Sequence, residues 1–392
     1  MTYSVEQLLS CLLTGMVESM DIPSDMQELA VERYEEVGTW LAEMGGEGWS
    51  IYPQGSFRLG TVTRPPTADS EYDIDLVCHL DIAKESTTQK ALKNRVGTML
   101  KAYMRAKDEV EDDDGPDECK DSRRCWTLKY PDDGFHMDVL PAIPDEDLPP
   151  TGIRLTDRKL RPWQLSNPIG YSDWFRTRSD EMKRKIEKVA RDTKADVADV
   201  PVWRVRTTLQ RLVQVLKLHS AVRFSDDLDN RPPSILVTTL AAKAYDGDED
   251  LLSALLSSLS RMPRYIENRS GQLWVPSPAH PGENFADKWN EYPERRDAFH
   301  AWLAEISETL KDAYTLKNAG IHRVAERLTP EFGTAPVQKA ALAMGDNMLE
   351  KRASGNLHMA RGSGLLTGAT SLSIPLRDHN FFGSHESKKT SS

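Results

Sequence analysis

The sequence predicts an α+β protein, with a mixed α/β N-terminal half and an all-helical C-terminal half. Two observations lead to this prediction. Between residues 49 and 143, four short segments typical of strands are separated by turn signals and one helical segment. From about residue 200 onward, apolar residues recur instead at the three- and four-residue spacing of amphipathic helices. Such a division along the chain indicates a sheet packed with helices, followed by a helical layer.

The N-terminal half should begin with two helices. Residues 3–19 have helical spacing, and a second helix runs to Gly45–Gly46, a typical C-terminal stop. The segments WSIYPQ and YDIDLVCHL that follow are typical of strands, because they are rich in aromatic and β-branched residues. Residues 86–107 show helical spacing again. Strands and helices are therefore interleaved in this half.

A β-hairpin is expected next. The strands CWTLKY (125–130) and FHMDVLPAI (135–143) are joined by PDDG, which consists of turn-forming residues. The acidic stretch 111–118 before the hairpin is expected to be a solvated loop.

The C-terminal half should consist of amphipathic helices. Apolar residues recur at helical spacing in segments at 205–216, 235–245, 251–259, 299–314 and 335–349. We therefore expect a core domain with N-terminal helices at 1–200 and a helical domain at 201–352. Residues 353–392 are rich in Gly and Ser and should form a partly flexible tail.

Composition excludes several classes of protein. The chain has 392 residues and a net charge of −11, so it can form two domains but is a poor non-specific binder of nucleic acid. It contains no apolar run of about 20 residues, which a membrane span requires. The N-terminus has no signal-peptide features, and four cysteines are too few for a disulfide scaffold. We expect a cytoplasmic protein without a membrane partner.

The segment from Pro53 to Leu80 contains the candidate active site. Gly55–Ser56 follows the first strand, and its backbone N–H groups could bind phosphate oxygens. Asp73 and Asp75 are two apart on the next strand, so both carboxylates project from the same face. Asp138, on the second hairpin strand, joins them if the two strands are neighbours. Asp is disfavoured in strands, so three such positions call for a compensating ligand.

Divalent metal ions are the ligand that this arrangement favours. Three carboxylates suit two Mg²⁺ ions, with Mn²⁺ as an alternative, because hard cations prefer oxygen ligands. Two such ions can activate an attacking hydroxyl and stabilise a leaving pyrophosphate. The pattern therefore predicts phosphoryl transfer, in which positioning and charge neutralisation supply most of the catalysis.

These motifs resemble those of a known superfamily. Gly-Ser, Asp-x-Asp and a distant Asp are similar to the pattern of DNA polymerase β-type nucleotidyltransferases. More narrowly, QGSFRLGT, YDIDLV and HMDVLPAIP resemble bacterial cGAS/DncV-like nucleotidyltransferases, which make cyclic oligonucleotide messengers in anti-phage CBASS systems. The similarity is densest over 52–80 and 135–144. It implies a polymerase β-like core and a helical C-terminal domain, with the active site in the cleft between them.

The resemblance also implies roles for individual residues. Gly55 and Ser56 would hold the phosphates of the donor nucleotide. Asp73, Asp75 and Asp138 would be the catalytic residues and the metal ligands. Two further residues in the helical half, Lys217 and Ser234, would contact the triphosphate.

The expected function is the template-independent synthesis of a cyclic di- or trinucleotide from ribonucleoside triphosphates, ATP among them. The implied partners are a CBASS accessory protein, acting on the enzyme or its C-terminal tail, and a separate effector that reads the product. Two alternatives stay open: transfer to an RNA, protein or small-molecule acceptor, and a nucleotide-binding sensor without turnover.

Several assignments also have simpler interpretations. The Gly-Ser turn and acidic strand could be ordinary solvated features. Lys217 could be a solvated helix residue, and Ser234 could cap the helix at 235–245. Tyr171, Trp174 and Phe175 could stack on a base or pack between the domains.

Overall fold

The computed structural model describes residues 5–64, 71–109, 115–157, 162–179, 206–316, 319–354, 358–360, 366–367 and 373–375. Within these ranges the chain forms a mixed sheet flanked by helices, followed by a helical half, as predicted. No helix in the described ranges is long and apolar enough to cross a membrane.

A seven-stranded sheet forms the N-terminal half. Its strands are β1 (Trp49–Gln54), β2 (Tyr72–Leu80), β3 (Glu118–Asp121), β4 (Trp126–Tyr130), β5 (Phe135–Pro144), β6 (Ile153–Leu155) and β7 (Gln164–Ser166). The order is β1-β2-β5-β4-β3, with β6 paired to β5 and β7 to β6. Strands β2 and β5 are parallel, and the other pairs of this sheet are antiparallel. The hairpin predicted around PDDG is confirmed, and Gly134 ends its turn at φ +73°.

Twelve α-helices accompany the sheets in the described ranges. They are α1 (Val5–Glu18), α2 (Ser24–Gly45), α3 (Gly55–Leu59), α4 (Gln89–Asp108), α5 (168–179), α6 (Thr208–Arg223), α7 (Ser234–Ala244), α8 (Leu251–Arg261), α9 (Asp287–Glu291), α10 (Pro293–Thr315), α11 (Ile321–Phe332) and α12 (Thr334–Ala353). Helices α2 and α4 cover one face of the sheet, where their apolar side chains pack against Ile74, Leu76 and Cys78 of β2.

The N-terminal helix α1 packs with the helical half, although the sequence grouped it with the sheet domain. Its residues Leu12, Leu13 and Met16 are fully buried in the helical core. Gly15 allows close contact with α12, since an added Cβ would lie 3.2 Å from the Cβ of Ala340. Ser10 donates a hydrogen bond to Asp250 at 2.6 Å. Spacing predicts a helix but not its partner, which tertiary contacts decide.

Strands β3, β6 and β7 of the main sheet were not predicted, nor were two strand-containing segments outside it. Within the helical half, β8 (Glu267–Arg269) and β9 (Gln272–Trp274) form a hairpin. Beyond it, β10 (His358–Ala360), β11 (Leu366–Thr367) and β12 (Ser373–Pro375) form a small antiparallel sheet within the segment expected to be a tail. The end of the predicted tail, 376–392, lies outside the described residues, as do 111–114 of the predicted acidic loop and the boundary near residue 200.

Candidate active site

The parallel pairing of β2 with β5 brings three aspartates together. Asp75 and Asp138 are direct register partners, and Asp73 lies one pleat away on β2. One carboxylate oxygen from each of the three lies within 4.8 Å of the others. Side chains alternate between the two faces of a strand. Ile74 and Leu76 of β2 therefore face helices α2 and α4, whereas the carboxylates of Asp73 and Asp75 face the opposite side of the sheet.

Crowding and burial make these carboxylates easier to protonate. The pKa of Asp75 is raised well above its usual value, by burial first and then by the charges of Asp73 and Asp138. The pKa of Asp73 is raised to about 6 by burial and by Asp138, while His136 and Lys217 oppose the shift. Half of the Asp73 side chain remains exposed, so it lies at the mouth of the site. Protons or bound cations are therefore required to relieve the repulsion.

A hydrogen bond orients one member of the cluster, and a histidine lies beside another. The hydroxyl of Thr127 on β4 donates to Asp138 at 2.6 Å, and the Ser122 hydroxyl lies 2.9 Å from that of Thr127. On β5, His136 lies 3.4 Å from Asp73 and 3.2 Å from Glu71. Thr127 was not singled out from the sequence. The available signal was its register opposite Asp138 in the predicted hairpin.

Gly55 lies directly against the Asp75 carboxylate. It follows β1 with φ +66°, and an added Cβ would meet the Asp75 Oδ2 at 2.0 Å. Only glycine tolerates both the backbone conformation and this approach. The segment expected to be a simple Gly-Ser turn is the short helix α3, and the Ser56 carbonyl accepts a hydrogen bond from the Thr61 N–H at 3.0 Å.

Lys217 reaches the cluster from the helical half. It lies on α6, and its Nζ donates to the Thr61 carbonyl at 3.0 Å. Burial lowers its pKa to about 8, although the carboxylates of Asp73 and Asp75 favour its charged form. The ammonium is therefore held in the interior near the aspartates, which is not the position of a solvated helix residue.

Ser234 is exposed at the first turn of α7. The N-cap position belongs to Pro233, and no side-chain capping bond forms there, so the capping interpretation does not describe this serine. Its neighbours Pro233 and Ile235 line the same cleft as Asp75.

The cleft lies between the sheet and the helical half and has a volume of about 820 Å³. Gly55 and Asp75 line it from the sheet side, and residues of α7 and of the segment 272–290 line it from the helical side. Tyr171 and Phe175 are buried in the helical core, and the Tyr171 hydroxyl lies 2.8 Å from that of Thr239. These aromatic residues therefore serve mainly to pack α5 against the helical half.

An unpredicted cluster joins the end of β5 to the helical half. His280 lies 2.8 Å from the buried carboxylate of Asp145, and Arg154 of β6 lies 2.7 Å from it. The partners are 135 residues apart in sequence, so no local pattern could have found them. This contact holds the segment 275–284 beside the sheet.

Comparison with known proteins agrees with this geometry. Residues 50–141 match the protein family described as cyclic GMP-AMP synthase DncV-like, nucleotidyltransferase domain. That range begins in β1, ends in β5 and includes Gly55, Ser56 and the three aspartates.

Similarity to individual proteins extends over nearly the whole chain. A c-di-GMP synthase of Roseivirga ehrenbergii is 29% identical and aligns over 97% of this chain and 99% of its own length. The structure of the CD-NTase CdnG of Bradyrhizobium diazoefficiens in complex with GTP superposes with a TM-score of 0.68 at 23% identity, over 86% of this chain and 99% of that one. A CdnC:HORMA-deltaN complex of E. coli MS115-1 contains a chain with a TM-score of 0.59 at 14% identity, over 81% of this chain and 95% of that one. The two structures show that the fold is shared.

Proposed function

We propose that this chain, whose residues 50–141 are a DncV-like, cGAS-type nucleotidyltransferase domain, joins two nucleoside triphosphates into a cyclic dinucleotide and releases pyrophosphate. The observation that carries the proposal is the convergence of Asp73, Asp75 and Asp138 at the cleft between the two halves. Similarity to a c-di-GMP synthase over 97% of the chain supports the cyclic product and a guanine nucleotide as one substrate. ATP is the second nucleotide that we propose to test.

The three aspartates fit divalent metal ions. Their oxygens converge within 4.8 Å, and burial together with mutual repulsion raises the pKa of Asp73 and of Asp75, so bound cations would stabilise the ionised cluster. We propose Mg²⁺, with Mn²⁺ as the alternative, because all the ligand atoms are carboxylate oxygens. When bound, the ions would lower the pKa of the attacking ribose hydroxyl and neutralise charge on the pyrophosphate.

Residues from both halves would hold the triphosphate of the donor nucleotide. We assign Gly55 and Ser56 to the phosphates because the glycine lets the backbone lie directly beside Asp75. Lys217 would supply a positive charge from the helical half, where its ammonium already lies near the aspartates. Ser234 is a weaker candidate, whose neighbours line the cleft.

The biological role that we propose is anti-phage signalling of the CBASS type, in which a separate effector reads the cyclic product. The CdnC:HORMA-deltaN complex, which shares the fold, makes an accessory protein a reasonable partner to test. The sequence HNFFGSHESKKTSS at 379–392, considered as its handle, lies outside the described residues.

Incubation with radiolabelled GTP and ATP in the presence of Mg²⁺ tests the proposal. We expect a labelled product that resists phosphatase, and its mass gives the ring size and the bases. The double variant Asp73→Asn/Asp75→Asn should make none, whereas Asp81→Asn, an exposed position just after β2, should retain activity. Label transferred to RNA or protein, or tight nucleotide binding without any product even with an accessory protein, would refute cyclic dinucleotide synthesis.

A further inference from the structure

Glu283 is a carboxylate that lines the cleft from the helical side, in the loop between β9 and α9. Its backbone is held on both sides: its N–H donates to the His280 carbonyl at 2.9 Å, and its carbonyl accepts from the Ser277 N–H at 3.1 Å. Its side chain accepts a hydrogen bond from the Ser166 hydroxyl of β7 at 3.3 Å. The carboxylate is therefore positioned before any ligand binds.

The carboxylate of Glu283 has no ion-pair partner within 4.0 Å among the described residues. The positive charge of Arg124 acts on Glu283 from beyond ion-pair distance. The Arg124 guanidinium donates its hydrogen bond to the Gln164 side chain and not to Glu283. Desolvation raises the pKa of Glu283 to about 7, although hydrogen bonds from the Ser277 and Ser166 side chains and the charge of Arg124 oppose the shift. A half-buried carboxylate without an ion-pair partner can accept further hydrogen bonds, and a ligand can supply the donors.

The surrounding surface suits a planar ring. The aromatic side chains of Trp163, Trp274 and Phe285 line the same cleft as Glu283. The indole N–H of Trp274 is buried and has no hydrogen-bond acceptor among the described residues. A nucleobase would offer both a flat apolar face and polar edge atoms to this wall.

We propose that Glu283 determines base specificity by accepting hydrogen bonds from the Watson–Crick edge of guanine in a nucleotide bound in the cleft. The inference rests on the proposed function, since it assumes that the cleft holds the nucleotides. Guanine places two donors side by side, its N1–H and its 2-amino group, and an ionised carboxylate can accept both. Adenine and cytosine place a donor beside an acceptor, and uracil flanks its one donor with two acceptors, so each would turn an acceptor toward the carboxylate.

This role has a pH dependence that a structural role lacks. Protonation of the proposed metal-binding aspartates should weaken the binding of both nucleotides as the pH falls. Because only the ionised form of Glu283 accepts both bonds from guanine, affinity for a guanine nucleotide should fall more steeply below about pH 7 than affinity for an adenine nucleotide. Arg124 faces Glu283, and Asp287 and Lys288 line the same cleft, so we expect the apparent midpoint to reflect all of these charges.

The test is direct binding of non-hydrolysable GTP and ATP analogues, measured calorimetrically, to the wild type and to Glu283→Gln. A glutamine offers one acceptor and one donor, which match adenine. We expect GTP-analogue affinity to fall by about 5- to 100-fold, the range for one bidentate base contact, with equal or better ATP-analogue affinity. Glu283→Asp keeps the charge and should keep the preference for GTP. Glu294→Gln, at an exposed position at the start of α10, serves as the matched control.

An unchanged preference, or an equal loss of both nucleotides by a variant whose thermal unfolding is normal, would overturn the inference. If Glu283→Gln does not fold, the pH dependence of analogue binding by the wild type still tests the inference. Parallel pH curves for the GTP and ATP analogues would overturn it. Neither measurement needs turnover. Failure of cyclic dinucleotide synthesis is therefore distinguishable from failure of this assignment.

Discussion

Replacing Gly55 with alanine tests how closely the backbone must approach the Asp75 carboxylate. The added Cβ would lie 2.0 Å from Oδ2, so the oxygen would have to withdraw by more than 1 Å to reach the 3.4 Å of ordinary contact. A misplacement of about 1 Å in a reacting site can lower the rate by roughly 100-fold. Because alanine is strained at the φ of +66°, the substitution should also lower the free energy of unfolding by about 1–2 kcal/mol. We therefore expect a large loss of kcat and a modest loss of stability.

Gly134→Ala is the matched control for this experiment. Gly134 also has a positive φ, of +73°, but its added Cβ would make only ordinary contact with the flexible tip of Met26, at 3.4 Å. Both variants should lose similar stability in thermal unfolding, whereas only Gly55→Ala should lose pyrophosphate release from labelled GTP and ATP. If Gly55→Ala retained the activity of the control, the close approach to Asp75 would have no part in the reaction.

Three further predictions concern the same site. Thr127→Val removes the 2.6 Å hydrogen bond to Asp138, so activity or metal affinity should fall by about 10- to 100-fold, with Thr127→Ser largely retaining it; equal loss in both would contradict an orienting role. In EDTA, the raised pKa values of Asp73 (about 6) and Asp75 mean that the folded state binds more protons than the unfolded chain, so protonation of this pair should stabilise the fold as the pH falls through about 6. The Tm of the wild type should therefore rise relative to that of Asp73→Asn/Asp75→Asn as the pH is lowered, and a pH-independent difference would refute this. Lys217→Met removes the ammonium that we assign to the triphosphate, so the KM for nucleoside triphosphates should rise by about 10-fold or more, the equivalent of one charge-assisted hydrogen bond. An unchanged KM would exclude a contact between Lys217 and phosphate.

Local sequence patterns were sufficient to predict the elements that carry the aspartates. The PDDG turn predicted the hairpin that contains Asp138, and the two-residue spacing predicted that Asp73 and Asp75 share a face. The structure differs where the prediction depended on distant partners. The helix α1 joins the helical core instead of the sheet domain, and Gly55–Ser56 begins a short helix instead of a simple turn.

Glu283 illustrates what spacing alone cannot predict. Its partner Ser166 is 117 residues away, and the loop that holds it lies beside the sheet partly through the contact of His280 with Asp145. Nothing in the immediate sequence distinguishes this glutamate from a solvated one. Burial against residues distant in the chain raises its pKa, and the charge of Arg124, itself far away in sequence, only partly offsets this effect.

The sequence by itself determined the faces of the strands, the turn of the hairpin and the acidic residues available for metal binding. These features follow from the two-residue repeat of a strand and from the backbone preferences of glycine and proline, which act over a few residues. Only the tertiary structure decided that β2 lies beside β5, that Lys217 points toward the aspartates and that Glu283 lines the cleft. These outcomes depend on packing between segments far apart in the chain, where many pairings satisfy the same local pattern and only burial of a common core selects one.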